Sequence, residues 1–322
     1  MGNSLQHIVL IVVLVLANTL TTQCFPSIEE KGNSTVPWPS DVAPYLIFPN
    51  QNLTSDETSI ITYYSVHTWY PEGGKDHYYG VEATIDVYTY DLHVGQSSGA
   101  MISIVNRGDG KPSSLSGIQF GWHIFPWLYK DSHTHFYTSW ISGESSSKGC
   151  WNMKCAGYHK TSSRIAPGQV ISPLSRINGN KSYITLRIFK EKSSGDWHIH
   201  VGANSAHPKP VGYFPKSLIS GLIDKPVEIS FGGYVKHRKS RPSPPMGSGY
   251  VFETGRAASF GILKLVDAEG IDHNIDADLP SSTDGKGCYT PSKIKWAQFF
   301  YGGLVVLINY AIFNLCNSNA KK

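Results

Sequence analysis

The feature that most constrains this chain is a succession of short β-branched and aromatic runs, each cut off by glycine. Tyr63–Tyr70, Val81–Tyr90 and Ala100–Val105 alternate or run apolar, and PEGGKD, GQSSG and NRGDG separate them. Gly117–Ile124, His135–Ile141, Tyr183–Phe189, Trp197–Val201, Val227–Phe231 and Ser259–Val266 extend the pattern. Such segments read as strands, because branched and aromatic side chains fit a pleated surface and lose rotamer freedom in a helix. Asn178-Gly179-Asn180 and Ser194-Gly195-Asp196 fit hairpin turns. No strand–helix–strand rhythm and no repeat is present, and one short helix is read around Pro215–Leu222. The expectation is an all-β chain folded as an antiparallel β-sandwich.

Charge narrows the function classes. Charged residues make up 16% of the chain, against about 25% in ordinary soluble proteins. The formal net charge is +4, and full protonation of the 13 histidines would carry it to +17 (4 + 13), so acid should change the surface strongly. The densest basic cluster, Lys236-His237-Arg238-Lys239-Ser240-Arg241, runs into Pro-Ser-Pro-Pro and reads as a solvated loop. No arm for nucleic acid is present, and a nucleic-acid partner is not expected.

The ends read as addresses and attachments. Ile8–Ala17 is a ten-residue apolar run followed by polar residues ending near Cys24, too short for a bilayer span of about 20 residues and fitting a secretory signal peptide over residues 1–24. Residues 25–61 read as a flexible leader or pro-segment remnant, residues 62–303 as the domain, and residues 304–322 as an apolar tail. The tail reads as a buried last strand, and membrane contact is not expected. Secretion implies oxidised cysteines. Besides Cys24, the four cysteines allow three pairings; Cys150 and Cys155 could close a tight loop, which would leave Cys288 with Cys316. Sequons begin at Asn33, Asn52 and Asn180. The chain is expected to be an extracellular monomer of the apoplast or cell wall.

Several constellations bear on chemistry. Gly95-Gln96-Ser97-Ser98-Gly99 matches G-x-S-x-G, but a strand rather than a helix follows, so it reads as a Gly/Ser turn. His133/His135 and His198/His200 put pairs of rings on one strand face. No carboxylate completes a ligand set at fixed spacing, so neither a metal nor a cofactor is expected. Glu253 stands in MGSGYVFETGRAASF with glycines around it and Arg256 as a counter-charge, a setting for acid–base hydrolysis. Gln119 is conspicuous among Ile118, Phe120, Trp122, Ile124, Phe125 and Trp127. It is either a satisfied core amide or part of a site.

Taken in order, GIQFGWHIFPWLYKD, FYTSWISGESSSKGCWNMKCAGY, ISPLS, SGDWHIHVG, VGYFPKSLI, SFGGYV, MGSGYVFETGRAASF, GCYTP and WAQFFYGG resemble the plant neprosin family over Tyr63 to Gly303. The resemblance implies an antiparallel β-sandwich and a secreted, acid-active glutamic endopeptidase that cleaves after proline. It implies a two-glutamate dyad, one member in an I-E-x-G-W segment and one just after M-G-S-G. This chain carries Gln119 at the first position, and either Glu253 or Thr254 at the second. An amide NH2 donates a hydrogen bond at any pH, so Gln119 could serve an oxyanion with Glu253 as base. If the second position falls on Thr254, the chain is an inactive relative that binds Pro-rich peptides or wall material, with Trp122, Trp127, Trp140 and Tyr250 as the stacking surface.

Overall fold

The protein is described from a computed structural model, over residues 60–71, 77–110, 114–143, 148–223, 225–283 and 288–304. Its strands are β1 (Ile60–Trp69), β2 (Tyr78–Asp86), β3 (Gln96–Asn106), β4 (Ser116–Ile124), β5 (Thr134–Ser142), β6 (Lys148–Trp151), β7 (His159–Lys160), β8 (Tyr183–Lys190) and β9 (Trp197–Ala203). There follow β10 (Lys209–Phe214), β11 (Glu228–Arg238), β12 (Met246–Gly247), β13 (Ala258–Asp267), β14 (Asp272–Asn274), β15 (Ser281–Thr283), β16 (Thr290–Pro291) and β17 (Phe299–Gly303). One sheet has seven strands in the order β15-β1-β11-β3-β4-β5-β6, and the other is ordered β12-β17-β13-β2-β8-β9-β10-β7, with β14 and β16 on its margins. All named pairings are antiparallel, so the expected antiparallel sandwich is what forms.

Period-two alternation assigns each strand an inner and an outer face. Ile118, Phe120 and Trp122 of β4 enter the main core with Ala100, Ile102 and Ile104 of β3 and Ile229 and Phe231 of β11. They meet Val81, Ala83 and Ile85 of β2, Leu186 and Ile188 of β8, and Phe260 of β13 from the opposite sheet. Phe260 and Phe299 stack with centroids 5.1 Å apart. Each such side chain contributes roughly 1.5–3 kcal/mol when fully buried. Residues 119, 121 and 123 therefore face outward from the seven-stranded sheet. A second buried cluster lies there, including Met101, Tyr137, Trp151 and Tyr234.

Several sequence expectations are corrected. The basic cluster is not a loop throughout. Lys236, His237 and Arg238 belong to β11, because Lys236 and His237 pair with β1 on one side and β3 on the other, and Arg238 still pairs with β1. Lys236 is 1% exposed, and burial pushes its ammonium well below the usual lysine range. Around Pro215–Leu222 only a 3-10 turn, Ser220–Leu222, forms. A one-turn helix that sequence reading missed, α1 (Pro126–Tyr129), starts on Pro126, whose fixed φ suits a first helical position. Trp122 and Trp140 sit in the main core, and the Trp122 indole donates to Asp86 O at 3.0 Å. Buried between the sheets, they offer no stacking surface. The Cys150–Cys155 disulfide forms. Cys288 is also disulfide-bonded, and Cys316, like residues 1–59 with Asn33 and Asn52, and the rest of the tail, lies outside the described residues. Asn180 is exposed.

Candidate functional site

Gln119 lies on the outer face of the seven-stranded sheet, in a row of polar residues that crosses the strands. Cα partners run Thr68–Ser230–Ser103–Gln119–Ser139–Trp151 through β1, β11, β3, β4, β5 and β6. All six are buried. Thr68 and Ser230 hydrogen-bond each other at 2.9 Å. The Gln119 amide is satisfied at both ends: Tyr137 OH donates to Oε1 at 3.1 Å and Nε2 donates to Met101 Sδ at 2.9 Å. Ser103 Oγ, Ser139 Oγ and the Trp151 indole nitrogen are buried with no protein partner. A buried polar group left unpaired costs about 1–3 kcal/mol, so the row carries three unreturned desolvation penalties beside a satisfied amide.

The next row along the strands is Val66–Gly232–Met101–Gly121–Tyr137. Gly121 is required by its backbone: its φ is 159°, and a Cβ there would lie 2.0 Å from Ala100 O. The row beyond, Tyr64–Tyr234–Gly99–His123–His135, is aromatic. Its centre is a relay. His123 Nδ1 bonds Tyr234 OH at 3.0 Å and Nε2 bonds Tyr129 OH at 2.8 Å. Asn152 Nδ2 donates to Tyr129 OH at 3.0 Å. Tyr137 stacks on His123 at 4.0 Å, and Tyr129 on His135 at 3.7 Å. Complete burial holds His123 well below the usual imidazole range, helped by His135. Burial, then the neighbouring Tyr234 phenol, pushes Tyr137 up. The relay is therefore neutral: it fixes donors and acceptors without supplying a charged base.

The outer face thus brings Gln119 together with Tyr137, Met101, Tyr234 and His123, none of which beyond Gln119 was singled out from sequence for this site. Neither of the Gln119 amide's bonds goes to Glu253: they run to Tyr137 and Met101. Glu253 is exposed in a 3-10 turn, Phe252–Thr254, that packs against β17 of the other sheet. Thr254 Oγ1 donates to Val251 O at 2.7 Å, an ordinary turn bond. Arg256, expected as the counter-charge of Glu253, places its guanidinium over the Tyr250 ring at 5.5 Å. Tyr250 belongs to that same flank, and of the four aromatics expected to stack on a ligand Trp127 alone, half-buried, packs at the edge of the outer cluster. The three rows named hold no carboxylate; the row on the other side of Gln119, Glu228–Val105–Gly117–Ile141, carries Glu228, which accepts from Arg107 Nε at 2.8 and 2.9 Å.

The other constellations resolve as structure. Ser98 Oγ in β3 donates to Pro245 O at 2.6 Å, so Ser97 and Ser98 are strand residues rather than a nucleophile turn. His135 bonds Gly168 O and Asp131. His198 stacks between Phe189 and Tyr213 on the ten-stranded sheet. Among the described residues no group of three or more His, Cys, Asp or Glu assembles as metal ligands.

The Neprosin family model matches residues 94–304, more than half of the chain. The chain belongs to the neprosin family. Solved structures similar to this neprosin-family chain include scytalido-glutamic peptidase bound to a peptide-based transition-state analogue, at 9% identity over 77% of this chain and 100% of that one, TM-score 0.41. SCP-B, a member of the eqolisin family of peptidases in complex with the tripeptide Ala-Ile-His, matches at 10% identity over the same shares, TM-score 0.41. A β-porphyranase from the human gut bacterium Bacteroides plebeius matches at 10% identity over 55% of this chain and 67% of that one, TM-score 0.26.

Proposed function

We propose that this neprosin-family chain holds an extended, proline-containing peptide across the outer face of the seven-stranded sheet and does not hydrolyse it through a Gln119–Glu253 pair. The observation that carries the reading is the position of Gln119: its amide is occupied by Tyr137 and Met101, while Glu253 is exposed in a 3-10 turn that packs against β17. General-base attack needs the base within hydrogen-bond reach of the attacking water and the oxyanion donor on the same carbonyl. His123, buried, held well below the usual imidazole range and bonded at both ring nitrogens, is a poor base, and a Gln whose NH2 faces a thioether is not aimed at an oxyanion.

Binding is supported by the orphaned groups. Ser103 Oγ, Ser139 Oγ and the Trp151 N–H bracket Gln119 in one row. Donors and acceptors already desolvated gain most when a ligand's backbone N–H and C=O pair with them. Trp127 at the edge supplies one aromatic face for a proline ring. Because the row is buried, ligand must displace whatever covers it, and association should be slower than the usual 10⁵–10⁷ M⁻¹s⁻¹ or so of preformed surfaces. Titration of the full chain with a Pro-rich peptide tests this. Binding that weakens about tenfold in Ser103→Ala/Ser139→Ala, and less in Glu253→Gln, is expected. Binding unaffected by the serine changes would contradict it. The second reading, peptide hydrolysis, draws on family membership and is decided by the cleavage assay that closes the Discussion.

A further inference from the structure

Between β16 and β17 a two-residue turn projects an apolar tip. Lys295 N donates to Gln298 O at 2.9 Å and Gln298 N donates to Lys295 O at 3.1 Å. The central residues, Trp296 and Ala297, have φ of 54° and 52°. Turn chemistry gives such left-handed positions to Asn, Asp or Gly. Trp296 is 92% exposed. Leu263 N donates to Ala297 O at 3.0 Å, which fastens the irregular stretch of β13 against the turn. The residue before it, Ile262, also has a left-handed φ of 53° and is 44% exposed. A β-branched residue in this region is a conformational outlier. Two bulky apolar side chains are thus held in strained backbone, close together, facing water. Neither fills the core. Strain kept where packing gains nothing is grounds for a functional role. Phe300, further along the same arm, is exposed too, and Lys293 and Lys295 flank the turn, both exposed.

We propose that this tip docks the protein on an anionic lipid surface, with Trp296 and Ile262 entering the interfacial layer and Lys293 and Lys295 meeting the headgroups. Tryptophan beside aliphatic residues and lysines is the composition that partitions to a bilayer–water interface. Asp278, the carboxylate at the base of this arm, accepts from Ile294 N at 3.0 Å and helps hold it. A projecting turn has no groove for a peptide. The tip's neighbours, Ile262 and Ala297 with the amide of Gln298 beside them, offer too few hydrogen bonds to specify a sugar. The docking is independent of the peptide-binding face.

The test is co-sedimentation of the full chain with phosphatidylcholine vesicles, with and without phosphatidylserine. Asparagine tolerates left-handed backbone, so Trp296→Asn and Ile262→Asn separate docking from folding. The expected result is binding that increases with phosphatidylserine, weakens about tenfold in each variant, and loses its salt dependence in Lys293→Gln/Lys295→Gln. The melting temperatures of the Asn variants should match or exceed the parent's. Absence of the parent from the vesicle pellet, or variants that bind as the parent does, would overturn the proposal. Trp296-dependent retention on insoluble polysaccharide, or a Trp296-dependent dimer, without vesicle binding would overturn it equally, in favour of a glycan or a second copy of the chain.

Discussion

One hydroxyl keeps the Gln119 amide satisfied. Tyr137→Phe removes the donor to Oε1 and leaves a buried acceptor short of a partner, so the variant is expected to lose about 1–3 kcal/mol in urea denaturation. Ser139→Ala deletes an oxygen that has no protein partner, and its stability is expected to stay within about 1 kcal/mol of the parent while peptide binding weakens. Glu253→Gln, at an exposed turn, should change the unfolding free energy in urea by less than about 0.5 kcal/mol. The sequence raised the right question at Gln119 and left it open. Its alternation placed Ile118, Phe120 and Trp122 on one face and Gln119 on the other, yet both faces are apolar enough that neither announced itself as the core. Tyr137 and Tyr234 were not legible as partners, because each reaches Gln119's face through strand pairing and not through nearness in sequence.

Elements differ in how much they owe to local sequence. The sequence predicts β4 as Gly117–Ile124 and it forms as Ser116–Ile124, because its alternation is strict, a Ser-rich stretch precedes it and Pro126, the first residue of α1, stops it just after Phe125. The sequence predicts this strand to end at Phe231, and β11 extends to Arg238. Its basic residues resemble a loop, but pairing on both sides supplies backbone hydrogen bonds that composition does not reveal. The cross-strand rows depend on register between segments as distant as Ser103 and Ser230, so no window of the sequence contains them. At the edge of the sheet, β6 carries Trp151 beside Cys150, whose disulfide to Cys155 closes a loop with a sequence separation of 5. For so short a loop the chain-entropy estimate is about 2 kcal/mol. Cys150→Ser/Cys155→Ser is expected to lose about that much by chemical denaturation, and to weaken peptide binding further if β6 frays from Ser139.

Across the whole molecule, the sandwich sets both the charge response and the site. The rise to +17 expected in acid is not reached in the ordinary histidine range. His123 and His237 are held low by burial, and His200 is held at about 4 by burial, then by Arg187 and His198. These groups stay neutral in the folded chain where the unfolded chain, with histidines near 6.5, binds protons. Stability is therefore expected to fall as pH drops below about 6.5, and His200→Gln should flatten the melting-temperature profile between about pH 6.5 and pH 4. The decisive measurement is cleavage of a quenched, proline-containing peptide at acid pH by the purified full chain, beside Glu253→Gln and Gln119→Leu. A chain that binds across its outer face without the dyad should show no cleavage that depends on either residue. Cleavage by the parent that vanishes in both variants would contradict the account and place Gln119 and Glu253 in one working site.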